Sequence, residues 1–447
     1  MSHRDPQPVA EALAAARPGE IIEAALEESS STTVTVAGGR LEASEDSRER
    51  GLGVRLFRDG RIGFAATSRL DSEGVAEVVA RARDLAACGR QEDANRPADG
   101  AGPGEPAGRE KRDDLPEAVP PAPLEEPALR LEEAARRRDD ELRTRAASVT
   151  AAGGRWLIAH SGGLRRSWSW RRAWASLEVV ILRDGVRQTG WESDWSETWE
   201  DLNLEETGEA AADQALRKFG AGRPATARMP VVLTPTVTAG LFEALAGALS
   251  GKAVLRGRSL FAGRLGETIA SPAVTLTDDG ARTDGFASAP FDGEGNLSRP
   301  AVLIRNGVLT GFLHNTYTAL KLQAPTTGHA VRDGFSSQPH IGSRNLLLEP
   351  SGGSRREIIA SVNRGVLVDE VMGLHTIDPV SGDFSLGATG REIRGGSTGA
   401  PLQGFTVAGN VRDILAAVQA VGDDVRFLPG GAGGSTVLLD GLTVSGT

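Results

Sequence analysis

Between residues 229 and 439 short apolar runs recur at regular spacing with turn residues between them, and this recurrence restricts the second half of the chain to a β-rich fold. The runs are 229–233, 273–277, 300–304, 308–313, 345–348, 365–371, 384–388, 404–408 and 436–439. With 56 glycines and only 4% aromatic residues, the chain has the material for many turns rather than for a helix bundle. A sandwich or barrel with a few helices is the expected architecture. One of those helices is marked after the first run, where Thr234 is a plausible N-cap and Pro235 takes the first helical position, with the pattern continuing to about Leu249.

The first half has a different texture. An Ala-rich helix pattern covers 10–27, and alternating runs at 32–36, 51–57 and 61–65 then read as antiparallel strands, the last two joined by the hairpin turn Arg58-Asp59-Gly60. Asp71 is placed to cap a helix that runs through Ala87. Residues 89–123 are mostly Pro, Gly and charge, too poor in apolar groups to offset ordering, and read as a mobile excursion. A charged helix is expected over 124–147 and another helix over 204–219, with a Gly-Ala-Gly-Arg-Pro linker at 220–224. The expected class is therefore α+β, an N-terminal sheet with covering helices over 1–223 and a β-rich unit over 224–447.

All seven tryptophans fall between Trp156 and Trp199. Period two puts Arg166, Trp168, Trp170, Arg172 and Trp174 on one face of a strand. Such a stripe could stack on bases or clamp a peptide. A hairpin packed on itself through cross-strand aromatic pairs is the better-weighted reading.

Lys and Arg number 50 against 60 Asp and Glu, a formal charge of -10. Binding to a phosphate backbone draws on counterion release by cations, so direct nucleic-acid binding is discounted. The single cysteine, Cys88, can form no internal disulfide and no thiolate metal site. No run of about 18 apolar residues and no leader-like h-region is present, so the expectation is a soluble, cytoplasmic chain with no membrane partner.

Residues 373–388, GLHTIDPVSGDFSLGA, read as strand end, irregular loop and strand. Together with Gly404-Phe405-Thr406-Val407-Ala408-Gly409-Asn410 and a helix expected to carry Val418 to Gly422, this stretch resembles the C-terminal signature of the TldD/PmbA (TldE) family. Three further segments match the family in order: 287–295 (ASAPFDGEG), 307–313 (GVLTGFL) and 326–330 (TTGHA). The family was first named for modulation of DNA gyrase and is understood as a two-subunit metalloprotease. The resemblance implies that a TldD-type chain carries HExxxH on the helix after the first C-terminal strand, where two histidines hold zinc and the glutamate activates its water. Phe242 and Gly247 stand at the histidine positions here, and only Glu243 remains. The cysteine ligand of TldD-type chains is likewise missing from 429–435 (PGGAGGS). The chain thus resembles the TldE/PmbA subunit, with zinc expected in its TldD-type partner and no cofactor or catalytic residue of its own.

Other chemistry is weakly signalled. His314, His329, His340 and His375 are not spaced for one helical turn, and Ser385, His375 and Asp383 lack a nucleophile-elbow context. Without a metal-bound water Glu243 has nothing evident to activate. Peptide substrate could bind by strand addition, with His375, Asp378, Asp383, Phe384 and Ser385 as groove candidates. The alternative reading is a stand-alone peptide-binding or scaffold protein of the same fold, and a homodimer of the isolated chain is left open.

Overall fold

A computed structural model describes residues 6–99, 118–378 and 380–446. The chain is α+β. Its first half forms one antiparallel sheet in the order β3-β2-β1-β4-β5-β6, built from β1 (Glu20–Ala37), β2 (Arg40–Arg58), β3 (Arg61–Thr67), β4 (Arg143–His160), β5 (Arg165–Arg183) and β6 (Val186–Ser196). Four of these strands run 18 or 19 residues. Strand twist accumulates over such lengths, and the sheet curls into a half-barrel.

Period two then sorts the side chains between two faces. On one face Ile22, Leu26, Val54, Leu56 and Leu157 lie under α1 (Gln7–Ala14) and α2 (Ser72–Cys88), with Asp71 capping α2 by accepting from the Gly74 amide at 2.7 Å. Further along the same face Val34, Val149, Ala175 and Leu177 lie under α3 (Ala122–Arg136) and α4 (Leu204–Leu216). The helices sit close because two strand positions have no side chain. A methyl on Gly63 would collide with the Ala82 carbonyl of α2, and one on Gly190 with the Ala211 carbonyl of α4.

Three expectations for this half are corrected. The helix expected over 10–27 ends at Ala14, and 20–37 is β1. Pro18 and Gly19, the latter at φ +80°, break the chain between them, and the run from Ile22 to Glu27 is buried on both faces, which erases the alternation that marks a half-exposed strand. The helix expected over 124–147 ends at Arg136, because 143–160 pairs as β4 between β1 and β5. Of the excursion at 89–123, residues 100–117 lie outside the described residues. The described flanks are anchored rather than mobile: the Glu92 amide donates to Gly60 at 2.8 Å, Thr32 donates to the Val119 carbonyl at 2.7 Å, and Ala98 is 1% exposed.

In the second half β7 (Ala227–Leu233), β14 (Arg364–Met372), β15 (Asp383–Arg394), β16 (Ser397–Asn410), β17 (Val418–Val421) and β20 (Val437–Ser445) form a sheet in the order β16-β15-β14-β7-β20-β17. Because β16 also pairs with β20, five of these strands close into a barrel-like sheet. A second sheet, in the order β10-β9-β8-β13-β19-β18, contains β8 (Leu276–Asp279), β9 (Pro300–Arg305), β10 (Val308–Leu309), β13 (Leu346–Leu348), β18 (Arg426–Phe427) and β19 (Gly433–Gly434). A short pair, β11 (Ala330–Val331) and β12 (His340–Ile341), stands apart. The helices are α5 (Pro235–Ala246), α6 (Gly251–Leu255), α7 (Thr316–Leu322), α8 (Arg355–Ala360) and α9 (Val411–Ala417). The helix expected to carry 418–422 stops at Ala417, since Val418 and Val421 pair with β20 and are fully buried there. Among the described residues no helix is long and apolar enough to cross a membrane.

The two halves meet through buried charge. Arg55 of β2 donates to both Glu23 oxygens of β1 at 2.8 and 2.6 Å and reaches Glu294 at 3.2 Å, while Arg332 donates to Glu23 at 2.6 Å. All four side chains are at most 6% exposed. Burial works against ionising Glu23, but Arg55 and Arg332 outweigh it and hold its carboxyl below the ordinary range. Nearby, Gly51 and Gly53 leave room for Phe335 of the second half, whose ring and carbonyl would strike any Cβ there. Glu23→Gln leaves buried cations uncompensated and is expected to cost about 3–5 kcal/mol in equilibrium denaturation. Glu205→Gln, which breaks only a pair that is 50% exposed on each side, is expected to cost about 1 kcal/mol or less.

Candidate functional site

Two segments distant in sequence converge on α5. The loop after β14, with a 3-10 turn at Leu374–Thr376, packs on the first half of α5, where a Cβ on Gly240 would stand 2.8 Å from the Leu374 side chain. On the other flank β19 lies so close that a methyl on Gly434 would collide with Pro235 and Ala239. The helix starts as its residues require, with Thr234 in extended backbone and Pro235 in the first turn. The Thr234 hydroxyl, however, turns to the Asp369 carbonyl at 3.3 Å and makes no cap.

The donors that a zinc site needs are absent from this convergence. Phe242 is 1% exposed and belongs to the core of the second half. Glu243 is exposed at the solvent side, and partial desolvation beside the helix pushes its carboxyl up. Gly247 falls just past the end of α5, and a Cβ there would meet nothing within 4 Å. A phenyl ring and a hydrogen cannot coordinate metal, and 429–435 offers only one hydroxyl, so these residues do not fit zinc. Among the described residues no group of three or more His, Cys, Asp or Glu side chains is gathered to hold a metal ion.

The loop residues mostly order the loop itself. Asp378 accepts from the Val380 and Ser381 amides at 2.7 and 2.9 Å, and these bonds hold its carboxyl below the usual range. Asp383 accepts from the Asn410 amide at 2.8 Å, with the same effect. His375 and Ser385 are exposed, and among the described residues no hydrogen bond joins His375 to Ser385 or Asp383. Two groove expectations need correction. Phe384 is 6% exposed and faces the core, so its side chain cannot line a groove. From Gly387 onward β15 is paired with both β14 and β16, which leaves no edge there for an added strand; 383–386 pair only with β16.

The four histidines do not converge either. His314 and His329 are buried, with His314 Nδ1 3.2 Å from the Thr318 hydroxyl and His329 donating from Nδ1 to the Thr327 carbonyl at 2.9 Å. His329 Nε2 stands 3.3 Å from Asp278. His340 lies 3.8 Å from Asp333.

The Arg-Trp stripe does form on one face, as its period requires. Trp156 pairs with Trp168 across β4 and β5, and Trp174 with Trp195 across β5 and β6. That face is turned toward the second half, where Trp168 joins a buried cluster with Phe291. Sequence reading missed the charge cluster of Glu23, Arg55, Glu294 and Arg332, whose members lie up to 309 positions apart. Its one sequence signal is a glutamate at position 23 inside an otherwise apolar run.

Three family models match in order: the PmbA/TldA metallopeptidase domain 1 over 22–86, the central domain over 114–219 and the C-terminal domain over 226–446. The metalloprotease PmbA of Escherichia coli O157:H7 is 27% identical over 95% of this chain and 92% of its own length. A metalloprotease of Methanothermobacter thermautotrophicus is 34% identical over 55% of this chain and 56% of its own length. Among solved structures, TldE from Thermococcus kodakarensis superposes with a TM-score of 0.83 at 23% identity, covering 95% of this chain and 97% of that one. A Thermotoga maritima protein named as a proposed modulator of a DNA gyrase gives a TM-score of 0.83 at 25% identity, covering 96% of each chain.

Burial, and next to it the charge of His329, push the His314 imidazole down to about 4. An unfolded histidine titrates near 6.5, so as pH falls from about 6.5 to about 4 the unfolded chain takes up a proton that the folded chain refuses. Stability is lost over that window, by roughly 3 kcal/mol in full. Denaturation at pH 7 and pH 4 is expected to show a smaller acid loss in His314→Gln than in the unaltered chain; equal losses would remove His314 from the account.

Proposed function

Because this chain belongs to the PmbA/TldD metallopeptidase family, we propose that it serves as the non-catalytic, TldE/PmbA-like subunit of a heterodimeric zinc protease acting on unfolded or short peptides. The observation that carries this reading is the side-chain chemistry around α5: a core phenylalanine at 242, no side chain at 247, and glycines where a cysteine ligand would approach. The TldD-type partner then supplies HExxxH, the cysteine and the zinc. This chain completes the chamber and helps restrict entry, with the exposed residues His375, Asp378, Asp383 and Ser385 beside α5 as its peptide-facing candidates. Trimming of modified peptide precursors and turnover of small antitoxins are the tasks such a complex would perform in the cytoplasm. The net charge of -10 speaks against a direct role on DNA.

Peptide cleavage and bound zinc are to be measured on this chain alone and after mixing with the TldD-type chain of the same organism. Chelator-sensitive cleavage and zinc appearing only in the mixture, with co-elution of the two chains, is the expected result. Metal-dependent cleavage by this chain alone would overturn the reading, and silence in both samples would favour the stand-alone peptide-binding or scaffold alternative. Glu243→Gln in this chain is expected to leave the rate of the mixture within about twofold. A fall of about a hundredfold or more, the usual worth of a general base, would instead make Glu243 a catalytic group.

A further inference from the structure

The Arg-Trp stripe has no part in the protease reading, yet it walls a cleft of about 240 Å³ between the two halves. Trp156, Trp168 and Trp170 enter it from β4 and β5, and Phe291, Asp292, Arg332 and Arg344 from the second half. Its charged groups differ in how far they are engaged. Arg332 is bonded to Glu23 at 2.6 Å, Gly293 at 2.7 Å and Ser337 at 3.0 Å. Asp292 accepts from the amides of Glu294 and Asn296 at 2.9 Å and of Ala330 at 3.2 Å. Arg172 lies over the Trp170 and Phe286 rings at 5.2 and 4.9 Å.

Arg344 stands out. Among the described residues its two terminal nitrogens reach only the Ala287 and Phe291 carbonyls, both at 3.4 Å and near the limit of a hydrogen bond. Among the described residues its Nε is buried with no partner and no carboxylate forms an ion pair with it, although Asp292 and Asp278 act on it through space. Burial holds this guanidinium below its ordinary range. Its weakly bonded terminal nitrogens can donate to an incoming carboxylate through a charge-assisted bond. The volume is below the usual range for drug-sized ligands, so the cleft suits one residue rather than a length of chain. Three indoles in the lining favour a large apolar or aromatic side chain.

We propose that this cleft binds the C-terminal residue of a peptide, with an apolar or aromatic side chain against Trp156, Trp168 and Trp170 and the α-carboxylate on Arg344. The site deepens the peptide-handling role set out above and rests on it. Because binding is read on this chain by itself, its failure is separable from a failure of the two-subunit reading, which is scored by cleavage in the mixture.

The full chain is titrated with acetyl-Gly-Gly-Phe, with the same tripeptide as its C-terminal amide, and with free phenylalanine. Intrinsic fluorescence serves as the signal, since three of the seven tryptophans line the cleft. The acid is expected to saturate at least about tenfold more tightly than the amide, equivalent to about 1.4 kcal/mol. Arg344→Met should abolish that preference, and Trp170→Ala should weaken acid and amide alike, both with an unchanged circular dichroism spectrum. Should Arg344→Met fail to fold, the acid and amide comparison on the unaltered chain still decides. Equal affinities, or no saturation by millimolar peptide, would overturn the proposal. Phenylalanine binding as tightly as the tripeptide would overturn the peptide assignment.

Discussion

The two halves of this protein are joined by a buried cluster in which two carboxylates and two guanidiniums cancel. Neither half can hold its share alone. Without Arg332 and Glu294 the N-terminal sheet would present the Glu23–Arg55 pair on the face it turns to the second half, and without Glu23 the Arg332 guanidinium would lose the carboxylate it donates to. The cluster therefore makes the docking of the halves part of folding rather than a later association. It ties the halves at two points, Arg332 on Glu23 at 2.6 Å and Arg55 on Glu294 at 3.2 Å, while two parallel bonds hold Arg55 against Glu23 within the first sheet.

What lies around the cluster follows from that docking. Gly51 and Gly53 admit Phe335, so the sheet and the second half approach at backbone distance there. Beside the tryptophans of β4 and β5, which pack on Phe291, a cleft reaching Arg344 remains between the halves. Crowded charge is visible here too: burial, then the neighbouring Glu294, pushes the Asp292 carboxyl up to about 6 even though three backbone amides donate to it.

Around α5 the residues at 242 and 434 serve close packing. Phe242 fills the core of the second half, a contribution of about 3–5 kcal/mol for a buried aromatic side chain. A histidine at that position would exchange apolar contact for a polar ring needing partners. The fold thus keeps the meeting of helix, signature loop and glycine segment while its side chains serve stability and shape.

Local pattern was sufficient for elements whose environment is one-sided. The cap at Asp71, Pro235 at the start of α5, the face shared by Trp168, Trp170 and Arg172, and the strand–loop–strand at 364–394 were all legible, because periodicity and turn chemistry act over a few residues. The α+β class and the family signature were legible for the same reason. Where a segment is buried on both sides, as from Ile22 to Glu27, or completes a distant sheet, as at Val418 to Val421, the local pattern carries no trace of its partners and suggested helix instead. The tertiary structure alone decided that Phe384 turns inward, that barrel closure takes both sides of β15 from Gly387 onward, and that Glu23, Arg55, Glu294 and Arg332 meet. Such contacts depend on how two independently patterned halves dock, and sequence neighbours do not encode that geometry.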